Sequence, residues 1–292
     1  MPPPFADNLT RFVLEHAAVR GAVVSLDRAY RDILACRTYP AGLQRLLGET
    51  LAAVCLLANS LKFEGSLVLQ LHGAGVLRLL VVECDAALNL RATAQWDGAV
   101  EEAAALADLA GAARGSRLVL TLDPKDGGPL YQGVVELVGG SVAALFEHYL
   151  AKSEQIDSRL WLGAGADRAC GLLLQRMPGA ADLDTAPWAR AERAADAAAA
   201  AFGAPDAHAL LATLFPDDDV RAFRARAPRF ACSCSRQRVA GALQLLGSTE
   251  VESILAELGS VGVDCEFCGR RYAFDAAEAR ALFAAPPAAA VH

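Results

Sequence analysis

Two stretches of the sequence decide the fold of its last quarter: Phe230-Ala231-Cys232-Ser233-Cys234-Ser235 and Val263-Asp264-Cys265-Glu266-Phe267-Cys268-Gly269. Two cysteines separated by one or two residues can direct both sulfurs at one ion from a tight turn, and a second pair completes a tetrahedron. No histidine lies near either pair, so the predicted site is closed by four thiolates, as structural zinc sites are. The spacing predicts one Zn²⁺ per chain in the reduced form, held by Cys232, Cys234, Cys265 and Cys268.

The redox environment decides between zinc and the alternatives, which are two permanent disulfides or four unrelated buried thiols. The chain starts with Met1-Pro2-Pro3-Pro4-Phe5-Ala6-Asp7-Asn8, which has neither the basic start nor the apolar stretch of a signal peptide. We therefore expect a cytoplasmic protein with reduced cysteines and a bound metal. The remaining cysteines stand in apolar surroundings and are predicted to be small core residues: Cys36, Cys55, Cys84 and Cys170.

Length and composition predict a soluble protein with two domains. With 292 residues and 54% hydrophobic content, the chain can bury one large core and still form a smaller module. The most apolar stretch, residues 41–61, contains Arg45 and Glu49, which favours a buried core helix over a membrane span. We expect no membrane association.

The charge pattern leaves a nucleic-acid-binding function open. A net charge of −7 argues against a general nucleic-acid binder. One run of arginines without intervening acids would nevertheless suit a phosphate backbone; its members are Arg221, Arg224, Arg226, Arg229, Arg236 and Arg238. The other interpretation is a solvated face, or a face that balances the charge of the zinc thiolates.

Residues 1–178 are predicted to form an α+β domain with antiparallel sheets. Apolar or alternating runs predict a strand over 18–26 and a meander over 66–71, 75–82 and 87–92. Strands over 117–122 and 131–137 flank a predicted turn at 126–129. Helices are predicted over 29–36, over 41–61 and from the cap Ser141 to Lys152.

Residues 179–229 are predicted to form an alanine-rich helical linker. Nearly half of the residues from 180 to 213 are alanine, and large apolar residues are few. Helix propensity is therefore high, while little apolar area is available to bury. We expect helices that are weakly anchored to the first domain, although an ordinary alanine-rich linker would have the same composition.

Residues 230–292 are predicted to form a small zinc-binding redox-switch domain. Ser235 is predicted to cap a helix over 236–246, and Thr249 with Glu252 to form the capping box of a second helix that stops at Gly259. The second cysteine pair lies between two short strands, in the turn of a hairpin. Asp275 with Glu278 opens a last helix by the same capping chemistry, and residues after Phe283 are expected to be disordered.

The motifs that could support catalysis are weak, and we expect that the protein is not an enzyme. Gly73-Ala74-Gly75 lacks the third glycine of a nucleotide loop and is predicted to be a hairpin turn. Ser153 lies close to His148 in sequence, but no nucleophile elbow surrounds it. A thiol-disulfide oxidoreductase would place Cys265 and Cys268 at the start of a helix in a βαβ pattern, which the sequence does not have.

Four segments resemble the heat-shock protein 33 family of redox-regulated molecular chaperones. They span most of the chain in the family's order, and the C-x-C-S with a distant C-x-x-C is highly specific. The segments are Pro129-Leu130-Tyr131-Gln132-Gly133-Val134-Val135, Tyr149-Leu150-Ala151-Lys152-Ser153-Glu154-Gln155-Ile156, Phe230-Ala231-Cys232-Ser233-Cys234-Ser235-Arg236-Gln237-Arg238-Val239 and Val263-Asp264-Cys265-Glu266-Phe267-Cys268-Gly269.

The resemblance implies an ATP-independent holdase of the bacterial cytoplasm, inactive when reduced and zinc-bound, that binds unfolded proteins after oxidative stress. It also implies that oxidation pairs Cys232 with Cys234 and Cys265 with Cys268, releases the zinc and produces a homodimer. The alanine-rich middle section and the Ala-Pro tail depart from the family's pattern, and the switch cysteines do not. A zinc-module nucleic-acid-binding protein is the alternative function.

Elementary energetics favours such a switch. A structural zinc ion contributes about 10 to 16 kcal/mol in small peptides at neutral pH. A disulfide that closes a three- or four-residue loop restrains the unfolded chain by only about 2 kcal/mol. Exchanging zinc for two such disulfides should therefore unfold a module with a thin core. Five arginines could balance the −2 charge of a four-thiolate zinc site: Arg229, Arg236, Arg238, Arg270 and Arg271.

Overall fold

The computed structural model describes residues 7–15, 17–60, 65–124, 128–137, 139–177, 186–197 and 207–284. The chain divides into two compact units, residues 1–231 and residues 232–292, and each is described by itself. The predicted division at 1–178, 179–229 and 230–292 stays a prediction. Residues 126 and 127 of the turn expected at 126–129 lie outside the described residues, as does the tail after residue 284.

The first unit is built mainly from strands. In chain order they are β1 (Asn8–Leu14), β2 (Val19–Leu26), β3 (Gly65–His72), β4 (Leu77–Asp85), β5 (Asn89–Trp96), β6 (Arg117–Pro124), β7 (Tyr131–Glu136), β8 (Ser158–Ala164), β9 (Ala169–Arg176), β10 (Val220–Ala222) and β11 (Arg229–Phe230). The helices are α1 (Arg28–Leu34), α2 (Ala41–Ser60), α3 (Leu106–Ala110), α4 (Val142–Tyr149), α5 (Ala186–Ala197) and α6 (Ala207–Leu214). A 3₁₀ turn follows α3 at Ala112–Arg114, and a π-helix, Leu150–Glu154, continues α4.

Two sheets carry these strands. The five-stranded sheet has the order β10-β1-β2-β9-β8 and is antiparallel throughout. The six-stranded sheet has the order β11-β5-β4-β3-β6-β7, in which only the short β11 runs parallel to its neighbour. The β3–β4–β5 meander and the turn at Gly73-Ala74-Gly75 are as predicted. The antiparallel sheets and the helices confirm the α+β class.

Helix α2 forms the centre of the first core. It packs against strands of both sheets and against α4, and its length and composition alone would allow it to cross a membrane. In the structure 72% of its most apolar window is buried inside the protein. Its long run of buried residues includes Leu43, Leu47, Leu51 and Leu56. Residues 41–60 therefore form the buried core helix that the sequence predicts.

The two faces of the five-stranded sheet contact different partners because side chains alternate along each strand. Leu9, Ala22 and Leu173 face the α2 side and belong to the main core. Phe12 and Leu172 point to the opposite side, where α5 and α6 cover them in a second apolar cluster. The described helices of the alanine-rich segment therefore belong to the first unit and shield one face of this sheet.

The second unit contains α7 (Arg236–Leu246), α8 (Ser248–Leu258), β12 (Ser260–Asp264), β13 (Arg271–Asp275) and α9 (Ala276–Ala284). Strands β12 and β13 form an antiparallel hairpin. The core is small; its buried members are Leu243, Val251, Leu255, Val261, Tyr272, Phe274 and Ala279. The hairpin around the second cysteine pair agrees with the prediction.

The helix caps of the second unit agree with the sequence in two places of three. The Ser235 side chain accepts a hydrogen bond from the Arg238 backbone N–H, and Asp275 and Glu278 exchange backbone-to-side-chain bonds. The predicted capping box of Thr249 with Glu252 is wrong. Helix α8 begins after Gly247 without a side-chain cap. Glu252 is instead held by Arg280, whose Nε and Nη2 donate to it at 2.8 and 2.9 Å.

Candidate metal centre

The two cysteine pairs reach one point from two different local structures. Cys232 and Cys234 lie directly before α7, in an extended segment that Ser235 ends by capping the helix. Cys265 and Cys268 lie in the turn between β12 and β13. That turn is closed by hydrogen bonds from Cys265 N to Arg270 O and from Gly269 N to Cys265 O, 2.9 and 2.8 Å. Gly269 has a φ of 67°, a backbone conformation that glycine adopts without strain.

The four sulfur atoms lie within 4.8 Å of one another. The shortest separations join the two pairs: Cys232 Sγ to Cys265 Sγ is 3.7 Å, and Cys234 Sγ to Cys268 Sγ is 3.4 Å. Sulfurs placed about 2.3 Å from a tetrahedral zinc ion are about 3.8 Å apart. All four cysteines are half-buried. The cluster therefore has the donor set and the dimensions to hold a metal ion.

A tyrosine that is not among the predicted site residues forms a hydrogen bond to one of the four cysteines. The Tyr272 hydroxyl donates a hydrogen bond to Cys234 Sγ at 3.1 Å. Tyr272 lies on β13 directly opposite Val263, in the register that brings the returning strand back past the cysteine turn. Its position four residues after Cys268, at an inward-facing place of a short alternating strand, was the signal that could have identified it.

The electrostatics of the cluster favour one negative charge on Cys234. Burial acts to raise the pKa of Cys234, but hydrogen bonds from Tyr272 and the other three cysteines outweigh it and lower the pKa to about 7. Burial, followed by contacts with the other cysteines, raises the pKa of Cys268 to about 12. Burial also raises the pKa of Cys232. Of these three thiols, Cys234 therefore loses its proton most readily.

Among the five arginines expected to balance the thiolates, Arg270 interacts with the cluster. Its pKa is raised, first by a hydrogen bond to Tyr272 and then by the charges of Tyr272, Cys234 and Cys268. Arg238 donates to Ser233 Oγ between the first two cysteines, at 2.7 Å. The remaining three contact other groups: Arg229 contacts Asn89, Arg236 contacts Ala273 O and Glu278, and Arg271 contacts Asp264.

The arginine run that kept a nucleic-acid interface open makes several contacts within the protein. Arg221 forms an ion pair with Glu15, and Arg226 donates to the carbonyl oxygen of Ala86. Arg229 donates to Asn89 Oδ1 at 2.6 Å. These guanidinium groups connect the end of the linker segment to the sheets of the first unit, which accounts for basic residues here without a phosphate partner.

The other four cysteines lie away from the cluster. Cys55, Cys84 and Cys170 are buried, as predicted. A hydrogen bond with Cys55, followed by burial, raises the pKa of Cys84, and burial raises the pKa of Cys170. Cys36 differs from the prediction because it is half-buried at the surface, where its thiol contacts Asp32 O at 3.2 Å.

The fold and the cysteine cluster define a class of protein: an α+β chain with a two-sheet unit followed by a small four-cysteine module that can hold a metal. Within that class the chain belongs to the Hsp33 protein family, whose family model matches residues 7–275.

Relatives of known name cover nearly the full chain. It is 43% identical over 282 residues to the 33 kDa chaperonin of Chromobacterium violaceum, covering 95% of this chain and 94% of the relative. It is 41% identical over 281 residues to the 33 kDa chaperonin of Methylobacillus flagellatus, with 95% and 94% coverage. These names support a chaperone function.

The fold also matches a solved structure. The crystal structure of the 33 kDa chaperonin, heat shock protein 33 homolog, from Thermotoga maritima superposes with a TM-score of 0.81 at 20% sequence identity. The match covers 95% of this chain and 98% of that one. At this identity the similarity establishes the common fold.

Proposed function

We propose that this protein is a redox-regulated, ATP-independent holdase of the cytoplasm that binds unfolded or aggregation-prone proteins after oxidative stress. In the reduced state Cys232, Cys234, Cys265 and Cys268 hold one Zn²⁺ and the protein is inactive. Oxidation of these cysteines to disulfides releases the metal and activates the protein, which has no enzymatic activity. Membership of a chaperone family and the convergence of four sulfurs within 4.8 Å support this proposal.

Zinc suits this site because, within the part of the chain that the structure describes, the clustered donors are four sulfurs. Soft thiolates in a tetrahedral set select zinc or iron–sulfur chemistry, and a closed set of four leaves no position for a catalytic water. Zinc, when bound, would tie the segment before α7 to the β12–β13 turn. Tyr272 would orient the Cys234 sulfur from outside the ligand set, as second-layer hydrogen bonds do in metal sites.

The chemistry of activation belongs to the cysteines. A thiolate attacks peroxide and becomes a sulfenic acid with release of hydroxide, and a second thiol attacks the sulfenic sulfur to give a disulfide and water. Two such reactions consume all four ligands. The resemblance to the family favours pairing Cys232 with Cys234 and Cys265 with Cys268. Cysteines two and three positions apart also stay close when the module unfolds, whereas the cross pairs of the cluster depend on the fold.

Loss of the metal should unfold the second unit. Its core contains few large side chains, and Leu245, Leu246 and Leu258 remain exposed at 91%, 51% and 68%. A module of this size depends on a metal or disulfide crosslink for its stability. Unfolding of the module exposes its own apolar side chains. The linker segment is then released, which exposes the sheet face that α5 and α6 cover, and clients bind to this apolar surface. The oxidised form is proposed to be a homodimer.

An aggregation assay tests the proposal. Peroxide-treated protein, after removal of the oxidant, should suppress aggregation of a chemically unfolded test protein without ATP, and reduced protein should not. A Cys265→Ser/Cys268→Ser variant should bind no zinc, so its module should be unfolded without oxidant and it should suppress aggregation equally before and after peroxide treatment. A Cys36→Ser variant should behave like the unmodified chain. Equal suppression by reduced and oxidised protein would contradict the redox switch.

A further inference from the structure

A small cleft lies on the α2 side of the five-stranded sheet, beside the last residues of α2. Its volume is about 200 Å³. Its walls come from β1, β2 and β9, from Asn59 and Ser60 of α2, and from Phe223, which follows β10. We call it the Arg11–Arg20 cleft. The proposed zinc switch makes no use of it.

Two guanidinium groups give the cleft a positive charge. In the β1–β2 register Arg11 is opposite Ala22 and Arg20 is opposite Val13. The two arginines are therefore diagonal neighbours on one face of the sheet, with their Cα atoms about 7 to 8 Å apart. Arg20 Nε donates to Gln175 Oε1 at 3.1 Å, and the Arg11 guanidinium carbon lies 5.5 Å from the centre of the Phe223 ring. Among the described residues that line the cleft, none is acidic.

The rest of the cleft is apolar with one fixed amide. Leu173 is buried beneath it, and Phe223 stands at its mouth with 37% of its surface exposed. Gln175 is 2% exposed, and its Nε2 donates to Ser158 Oγ at 3.2 Å. This second bond fixes the amide so that its oxygen holds Arg20 in place. The cleft thus combines an oriented cation pair with an aromatic wall.

We propose that the Arg11–Arg20 cleft binds a small aromatic monocarboxylate. Guanidinium groups recognise carboxylates through paired, charge-assisted hydrogen bonds. An aromatic ring beside Phe223 gains stacking and cation–π contacts with Arg11. A cleft of about 200 Å³ is smaller than the roughly 300 to 1,000 Å³ typical of sites for drug-sized ligands, so a single ring with a short acid chain is the matching size.

The cleft is complete only while the linker segment is docked. Phe223 belongs to that segment and is held by a hydrogen bond from its N–H to Arg11 O, 2.8 Å, next to the pairing of β10 with β1. A ligand that needs Phe223 binds the docked form better than the detached form and shifts the equilibrium towards docking. Resting on the proposed function, this inference adds that an aromatic acid delays activation.

Binding can be measured on the reduced full chain, without any chaperone assay. We expect 3-phenylpropionate to bind with one-to-one stoichiometry in calorimetry. Its uncharged amide and propionate, which lacks the ring, should each bind about tenfold more weakly, because each lacks one of the two recognition elements. Absence of saturable binding, or equal binding of the amide, would overturn the proposed site.

Variants locate the site. Arg11→Gln and Arg20→Gln should each weaken binding about tenfold through loss of a charge-assisted bond, and Phe223→Ala should weaken it through loss of the ring contact. Arg28→Gln is the matched control, because Arg28 is an exposed arginine that pairs with Asp32 and does not line the cleft. Folding of each variant is checked by its thermal transition. Unchanged binding in all three cleft variants would overturn the assignment.

The coupling is tested separately on oxidised protein. At a ligand concentration ten times the dissociation constant, the detached fraction of the linker segment should fall about tenfold, measured as protection of residues 207–230 from limited proteolysis. Binding to the reduced chain without this protection would overturn the coupling but not the site. Failure of the oxidised protein to suppress aggregation would instead contradict the proposed function and leave the binding result intact.

Discussion

Tyr272 shows how one side chain can adjust a cluster of four cysteines. Its hydroxyl donates to Cys234 Sγ and interacts with Arg270, so a chain of three groups leads from the guanidinium to the sulfur. The hydrogen bond stabilises the thiolate over the thiol, which is the form a metal needs. The spacing of the cysteines predicts the ligands. The hydrogen bond from Tyr272 to Cys234 can be recognised only when the pairing register of β12 and β13 is known.

Replacing Tyr272 with Phe should weaken zinc binding. The substitution removes one hydroxyl and keeps the ring in the small core, and outer hydrogen bonds to ligands are typically worth about 10- to 100-fold in metal affinity. We expect about a tenfold rise in the zinc dissociation constant, measured by competition with a chromogenic chelator. Tyr131→Phe, at an exposed position of β7, is the control and should leave affinity unchanged, as should Tyr272→Phe if the hydroxyl has no role.

Zinc affinity should fall as the pH is lowered through about 7. The pKa of Cys234 is lowered to about 7 in the folded cluster. The contribution of its thiolate is therefore fully present above the ordinary thiol pKa and is lost as the pH falls through about 7. Equilibrium dialysis at a fixed free zinc concentration should show this loss between pH 8 and pH 6. In Tyr272→Phe the loss should begin at higher pH. Constant zinc occupancy over that range would contradict protonation of the cluster.

At the scale of elements, α5 buries the smaller side chains of the two described helices in the alanine-rich segment. Its buried residues are Ala191 and Ala195, which bury little area compared with the Leu210, Leu211 and Leu214 of α6. A hydrogen bond from Trp161 Nε1 on β8 to Asp196, 2.8 Å, adds a directional contact. The half-buried Trp188 also packs against this cluster, so α5 is held by few apolar side chains and should release more readily than the core elements.

Asp196→Ala should loosen α5. Loss of the acceptor removes roughly 1 kcal/mol and leaves the indole N–H unpaired, so hydrogen exchange in residues 186–197 should become about fivefold faster. Activation by oxidant should also be faster if release of this segment limits it. Glu102→Ala, at an exposed position of the first unit, is the control. Unchanged exchange in Asp196→Ala would show that the Trp161 contact does not hold the helix.

The elements that the sequence predicts are those with local signals. Helix α2 has a long apolar run, the β3–β4–β5 meander has alternation and turns, and Ser235 has capping chemistry; each is confirmed. Strand β9 could not be assigned, since its continuous run of buried residues has no alternation that separates strand from helix. Strands β10 and β11 are three and two residues long and exist only through pairing with distant strands. Thr249 was a plausible cap, but Gly247 begins the helix.

At the scale of the whole molecule, the two units should respond differently to oxidation. The first has a large core in which α2 and both sheets are buried, whereas the second has a core of a few residues around the cysteine hairpin. Local stability follows the amount of buried apolar contact. Because of this difference in core size, the second unit can unfold while the first unit stays folded.

Hydrogen exchange before and after oxidation measures this difference. We expect residues 232–284 to lose protection after peroxide treatment, while β2, β3, β4 and β9 exchange as slowly as before. Reduction in the presence of zinc should restore the original pattern. Equal protection of the second unit in the two states would contradict unfolding of the module, and loss of protection in β3 and β4 would show that the first unit unfolds as well.

The pairing of β10 with β1 has a consequence for self-association. Strand β10 is the outermost strand of its sheet and pairs with Phe12, Val13 and Leu14. When the linker segment leaves, the backbone N–H and C=O groups of β1 lose their partners, and β1 becomes an exposed sheet edge that can pair with any extended chain. A second copy of β1 can add there in antiparallel orientation about a two-fold axis.

In the proposed activated state the molecule would carry an exposed sheet edge, the feature that makes unfolded chains prone to aggregate. Val13→Lys, which places a charge on the exposed edge, should reduce dimer formation of the oxidised protein in sedimentation experiments and leave zinc release unchanged. In the resting protein, three residues of β10 cover that edge. A short strand therefore protects this edge in the resting protein, and in the proposed oxidised homodimer the pairing of two β1 strands would satisfy the same backbone groups.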